Sequence, residues 1–158
     1  MIRSLLACSA VFAAGCASTP AAPLTPEDLI EGAWACKAES MTPESVITLT
    51  FNENGRVRAA FDGETRGQKT SLTMKMQSEG TYRIDAGRLK GAFDAAAIDY
   101  LAADDVPVPA EELPQYEQLM IDVSRTSIDA LISRLDVAHL TLSSSEGRPS
   151  LSCIRAGS

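Results

Sequence analysis

Val46-Ile47-Thr48-Leu49-Thr50-Phe51, then Asn52-Glu53-Asn54-Gly55, then Arg56-Val57-Arg58-Ala59-Ala60-Phe61: here apolar and polar residues alternate on both sides of a turn-forming segment. A period of two puts Ile47, Leu49 and Phe51 on one face, and Val57, Ala59 and Phe61 on the matching face of the next run. The Asn-Gly ending of the connection is a hairpin signal, because those residues accept the left-handed backbone a tight turn needs. The stretch therefore predicts paired antiparallel strands with one buried face.

The same pattern recurs on either side. Ser71–Met76 and Thr81–Asp85 alternate across an expected turn at Glu79-Gly80, and Arg88–Phe93 follows Ala86-Gly87. His139–Leu142 and Ser150–Arg155 form a last hairpin turning near Glu146-Gly147. Thr25-Pro26-Glu27 reads as an N-cap with Pro at the first helical position, opening a helix of one or two turns that ends at Gly32. Asp94–Leu101 fits a strand or an Ala-rich helical turn, and both stay open. Pro107 and Pro109 break the chain. Ala110–Asp122 predicts a short helix, with Leu113, Tyr116, Leu119 and Met120 at helical spacing despite Pro114. Thr126–Leu131 predicts one more strand. Short alternating strands with Gly turns predict a mainly β fold, an antiparallel up-and-down barrel with a short N-terminal helix and a helix-bearing insertion.

The first residues carry a different kind of information. Arg3, an apolar stretch over residues 4–14, and Ala13-Ala14-Gly15 before Cys16 resemble the signal peptide and lipobox of bacterial lipoproteins, with Ala13 standing where that pattern usually has Leu. An ordinary secretory peptide cut nearby is the alternative. The lipoprotein resemblance implies removal of residues 1–15, lipid on Cys16, and a membrane anchor that two or more acyl chains make stable. Ala17, rather than Asp, resembles lipoproteins carried to the outer membrane of Gram-negative bacteria, facing the periplasm. Residues 16–25, small, polar and Pro-rich, read as a flexible tether. Residues 26–158 then form one domain, large enough to bury a core.

Removing Arg3 with the signal leaves thirteen basic and twenty-one acidic residues, a formal charge of −8. That balance excludes nucleic acid as the expected partner. It fits a cationic partner or plain solubility. Of four cysteines, Cys8 leaves with the signal and Cys16 takes lipid, so Cys36 and Cys153 remain as an expected disulfide in an oxidising compartment.

Residues opposed in an antiparallel pair share a constant index sum, and Cys36 with Cys153 has the same sum as Trp34 with Arg155. A bond between the cysteines would staple the first strand to the last and set Trp34 opposite Arg155, on one face. Asp28-Leu29-Ile30-Glu31-Gly32-Ala33-Trp34 is similar to the opening of lipocalins and related calycins, where a short helix leads to Gly-x-Trp on the first strand. The resemblance implies that Trp34 plugs the barrel and that Arg155 packs over it, a structural pair. It covers the two ends of the chain only.

Searching for chemistry yields little. His139 is the one histidine, on a strand position opposite in facing to Leu140 and Leu142, and so expected at the surface. No Gly-x-Ser-x-Gly elbow supplies a nucleophile for it. Asp104-Asp105, Glu111-Glu112, Glu117 and Asp122 read as a solvated acidic face without calcium-loop spacing. No enzyme, no cofactor and no metal is expected.

The expected inner set is apolar: Ile47, Leu49, Phe51, Val57, Ala59, Phe61, Leu72, Met74, Met76, Tyr82, Ile84, Leu89, Phe93, Leu140, Leu142 and Leu151. Of these, Leu49, Phe51, Phe61, Met74, Met76, Tyr82, Phe93 and Leu142 are the candidate lining of a ligand cavity, against the alternative of a barrel filled by its own side chains. Two functions follow. One is a non-catalytic module binding a small hydrophobic or lipid-derived molecule. The other is an interaction or envelope-structural protein using its outer face, such as an inhibitor of a cationic cell-wall hydrolase.

Overall fold

The computed structural model describes residues 23–38, 41–66, 70–124, 128–144 and 150–157. The expected signal segment, Cys16, most of the tether and the turn at Glu146-Gly147 lie outside them. The elements in order are α1 (Pro26–Ile30), β1 (Gly32–Ala38), β2 (Val46–Phe51), β3 (Arg56–Arg66), β4 (Ser71–Asp85), β5 (Arg88–Ala103), β6 (Val106–Pro107), a 3-10 turn (Ala110–Glu112), α2 (Leu113–Ser124), β7 (Ile128–Leu135), β8 (His139–Ser144) and β9 (Leu151–Arg155).

Strands β4, β3, β2, β1, β9, β8, β7 and β5 lie side by side in that order, and β5 pairs back onto β4. The sheet is thus a closed antiparallel barrel, with the short β6 attached to β5. Closure between the chain's two ends is made by β1 and β9, where Trp34 opposes Arg155 and Cys36 opposes Cys153. The two cysteines are bonded across a separation of 117 residues. One end of the barrel carries α1 and the turns after β2, β4 and β7. The other carries the connections after β1, β3, β5 and β8.

Local chemistry accounts for the elements that sequence reading anticipated. Thr25 caps α1 through a capping box with Asp28, and Pro26 opens it. Asn52 and Gly55 close the β2–β3 hairpin, Asn52 donating its N–H to Arg56 O and accepting from Gly55 N–H. Ala86 and Gly87, at φ 50° and 74°, form the two-residue turn between β4 and β5.

Several expectations are corrected. Glu79-Gly80 is no turn but part of the continuous β4. Gly80 is there because β4 and β5 approach closely: a Cβ would sit 2.1 Å from the Ala92 carbonyl oxygen. Residues 94–101 are strand, within β5. Their alternation is broken because Asp94 and Asp99 are extra residues at two shifts of the β4–β5 register. Inward positions consequently run Leu89, Gly91, Phe93, Ala96, Ile98, Leu101. The first two residues of the expected strand Thr126–Leu131 lie outside the described residues; from Ile128 it is strand, and it runs on to Leu135 through a further register shift at Ser133. The expected helix begins as a 3-10 turn at Ala110 and is α-helical only from Leu113, with Pro114 in its first turn where no N–H is missed.

Because the disulfide restrains most of the domain in the unfolded state, replacing Cys36 and Cys153 together by Ala should lower the unfolding free energy by about 3–5 kcal/mol. Urea titration of parent and variant measures this; equal midpoints would mean the staple adds nothing to stability.

Candidate functional site

The two ends of the barrel are built differently. At the α1 end, Trp34 is fully buried with Ile30, Phe51 and Leu140. Its indole Nε1–H donates to the Ile30 carbonyl at 2.7 Å. The Arg155 guanidinium carbon lies 4.3 Å from the Trp34 ring centroid. Its Nε donates to Val137 O at 2.8 Å, and its terminal nitrogens donate to Glu31 O at 2.6 Å and Leu29 O at 2.5 Å. A single side chain therefore covers the plug, holds the last turn of α1 and fastens the β7–β8 turn. This end is closed.

The β7–β8 turn is organised by Asp136. Its carboxylate accepts from the N–H groups of Ala138 and His139 and from Arg134. The Ala138 N–H above all, then the His139 and Arg134 side chains, hold its carboxyl below the ordinary range. The stabilisation is thus present above the unfolded carboxyl's pKa and lost in acid. His139, expected at the surface, is half-buried, its Nδ1 3.0 Å from Asp136 Oδ1 and 2.9 Å from the Arg134 guanidinium. Among the described residues, no serine lies among the partners of this imidazole.

The candidate lining divides between two clusters. Leu49, Phe51 and Leu142 are buried in the larger one around Trp34, with Tyr82 and Phe93 packed against it. Tyr82 meets the Phe51 ring edge-on at 4.9 Å between centroids. Burial raises its phenol pKa, and the hydroxyl donates to Asn52 O. Phe61, Met74 and Met76 belong instead to a second cluster with Ile98 and Leu101, covered by Val108, Leu113, Tyr116 and Met120.

Why a helix is needed there follows from the register. Among the described residues β7 pairs with β5 as far as Ile128 opposite Gly91, and no strand pairs with β5 on that side again until β6 meets Ala102 and Ala103. The helix α2 packs on β5 in its place. Glu117, expected on a solvated face, accepts from the Ile98 N–H at 2.8 Å, next to the extra residue Asp99. It thereby satisfies a backbone donor that the missing strand would have taken. Of the four residues at helical spacing, Leu113, Tyr116 and Met120 pack on the cluster and Leu119 is exposed. Ile98 and Leu101 escaped the sequence reading because the spacing of inward residues changes from two to three at Asp94 and again at Asp99.

Beyond the second cluster the apolar surface reaches solvent. Leu72 opposes Ala103, and Ala103 opposes Val106, so the three share the face that bears Met74 and Leu101 two residues further in. Leu72, expected inside, is 41% exposed and Val106 68%. The reason is position: they stand at the end of the β3–β4–β5 ladder, where Thr65 pairs with Leu72, beyond the reach of β2 and β7.

A separate groove of about 340 Å³ lies on the outer face of β1, β9 and β8, lined by Ala35, Lys37, Val46, Arg134, His139 and Ile154 among others. The Lys37 amine donates to the carbonyls of Pro43 and Ser45. Among the described residues, no group of three or more His, Cys, Asp or Glu is placed to hold a metal ion. No helix of the described residues is long and apolar enough to cross a membrane.

Two solved structures are similar in fold. One is a lipocalin-like protein from Bacteroides uniformis, at 13% identity and a TM-score of 0.42 over 79% of this chain and 96% of that one. The other is an uncharacterized protein from Bacteroides eggerthii, at 10% identity and a TM-score of 0.43 over 79% of this chain and 98% of that one. No family model and no curated protein matches the chain. The barrel itself is defined by its strand register.

Loss of the Arg155 guanidinium should leave the Leu29, Glu31 and Val137 carbonyls without their donor and uncover the indole. Arg155→Ala should therefore cost about 2–4 kcal/mol. It should also raise acrylamide quenching of Trp34, the chain's one tryptophan. Unchanged quenching and stability would show that the lid contributes nothing.

Proposed function

We propose that the protein is a non-catalytic, lipid-anchored binding module of the outer membrane, facing the periplasm, which takes a small apolar or lipid-derived molecule at the α2 end of its barrel. The supporting observation is the second apolar cluster, Met76, Ile98 and Leu101 under α2, continuous along one face with the exposed Leu72 and Val106. A self-sufficient barrel has no use for apolar side chains at that rim, whereas a ligand entering there would cover them. Met74, Met76 and Met120 can reshape around a guest at small cost, because the side chain is unbranched and flexible. At the other end, Trp34 and Phe51 fill the interior and Arg155 closes it, so that half serves as the rigid base. The outer groove beside Ile154 favours the second reading, a periplasmic protein partner.

Titrating the mature protein with a dansyl-labelled dodecyl probe should give saturable fluorescence enhancement in the micromolar range, about 8 kcal/mol of binding. Met76→Gln, which places an amide in the cluster, should weaken it about tenfold while Trp34 emission stays unchanged. Absence of saturable binding to the parent would leave the outer groove as the surface to pursue.

Anchoring is tested separately. In cells fed radioactive palmitate, the parent should carry label and fractionate with outer membranes, and Cys16→Ser should do neither. Equal labelling of both proteins would refute lipid attachment at Cys16.

A further inference from the structure

Resting on the proposal that Cys16 carries the lipid anchor, we infer that the barrel stands on its membrane with the α1 end down. Leu24 and Val137 then lie against the headgroup layer of the bilayer that holds the anchor, and the α2 end is turned away into the aqueous phase. The first argument is length. α1 opens at Pro26, ten residues along the chain from Cys16. Even drawn out straight, ten residues reach at most about 35 Å. Strand β4, 15 residues from Ser71 to Asp85, runs from the α2 end of the barrel to the α1 end. At a rise of about 3.3 Å per residue and a tilt of about 40°, it gives the barrel a height of about 38 Å, to which the loops and the α2 segment add. A barrel standing on its α2 end would lift Pro26 higher above the lipid than the connection extends. Covalent geometry thus excludes the inverted pose.

The second argument is the surface that the short connection brings to the lipid. Leu24 and Val137 are both exposed, although Ile30 and Trp34 directly behind them are fully buried. Their exposure is therefore no gap in the core. Val137 stands beside α1, because the guanidinium that bonds its carbonyl also bonds the carbonyls of Leu29 and Glu31. Leu24 lies two residues before the helix opens. Glu27 and Asp28 in the first turn of α1 would be repelled by an anionic surface, so the contact is apolar and suits zwitterionic headgroups. An upright barrel has a consequence for the site beneath α2. Leu72 and Val106 open on the periplasm, and an apolar ligand reaches them from the aqueous side instead of leaving the bilayer that holds the anchor.

The test uses the lipidated mature chain, reconstituted into phosphatidylcholine vesicles that contain a lipid spin-labelled at its headgroup. With Cys16 lipidated and Cys36 bonded to Cys153, the variants Val137→Cys and Val106→Cys each carry one free thiol, which takes a fluorescent label. Both positions are exposed, so the label should leave the fold intact, which Trp34 emission checks. In vesicles that float with the protein, the label at residue 137 should be quenched by the lipid at least about threefold more than the label at residue 106. Iodide in the water should quench residue 106 equally with and without vesicles, and residue 137 less once vesicles are present. Equal lipid quenching at the two positions, stronger quenching at 106, or none at either in protein that floats would each overturn the upright pose while leaving the anchor in place. Failure of the protein to float, as expected for Cys16→Ser, would overturn anchoring itself, and this inference with it.

Discussion

The contact of the Arg155 guanidinium with the Trp34 ring is the interaction on which the rest of the barrel depends. A barrel made from one chain must join its first strand to its last, and that seam has no hairpin to set its register. Here the seam is defined by two adjacent layers: the Cys36–Cys153 bond, and two residues along, the indole under the guanidinium. Each restrains what the other leaves free. The bond limits separation but lets strands twist, whereas Arg155, with donors to Leu29, Glu31 and Val137, fixes α1 and the β7–β8 turn to the same point. The cation is desolvated only in part and retains hydrogen-bond acceptors, so its burial is not a penalty the fold must absorb elsewhere.

With one end closed, variation is confined to the other. The long β4–β5 pair runs on beyond the reach of β2 and β7, and past Gly91 α2 packs on β5 where β7 no longer pairs with it. Replacing strand with helix removes backbone partners at the edge of β5. The structure answers with the Glu117 carboxylate on the Ile98 N–H and with the Val108 N–H on the Leu101 carbonyl. The register shifts at Asp94 and Asp99 twist this part of β5 and turn Ile98 and Leu101 inward together, making a surface that a helix can cover. Asp94, left outside, pairs with Arg56 at 2.8 Å, and that hydrogen bond holds its carboxyl below the usual range. The device that binds helix to sheet is thus also what creates an apolar floor beneath it.

Much of this was legible in the chain. Alternation through 46–61 and 81–93 is a local property, since neighbouring side chains of a strand point to opposite faces whatever lies beyond. The capping residues Thr25 and Pro26, the Asn-Gly and Ala-Gly turns, and the shared index sum of the cysteines and the Trp34–Arg155 pair are equally local or arithmetical. They determined an antiparallel barrel with a capped helix at its start, and the pairing of its first and last strands. What misled was Gly80, read as a turn because glycine permits one, when its missing side chain instead makes room for the Ala92 carbonyl on the next strand.

Only the tertiary structure decided how the apolar residues divide. Leu49 and Met76 look alike in a list of inward positions, yet one belongs to a closed plug and the other to a cluster that opens on an exposed rim. Residue order does not contain that distinction, because it depends on how far each strand outruns its neighbours and on where a bulge shifts the phase of β5. The same holds for Glu117, whose acidic surroundings suggest solvent and whose partner, Ile98, is made available only by an absent strand. Sequence by itself determined which faces are apolar and how the chain's ends meet. Tertiary structure decided which apolar face is left incompletely covered, since exposure is set by the relative lengths and registers of elements far apart along the chain.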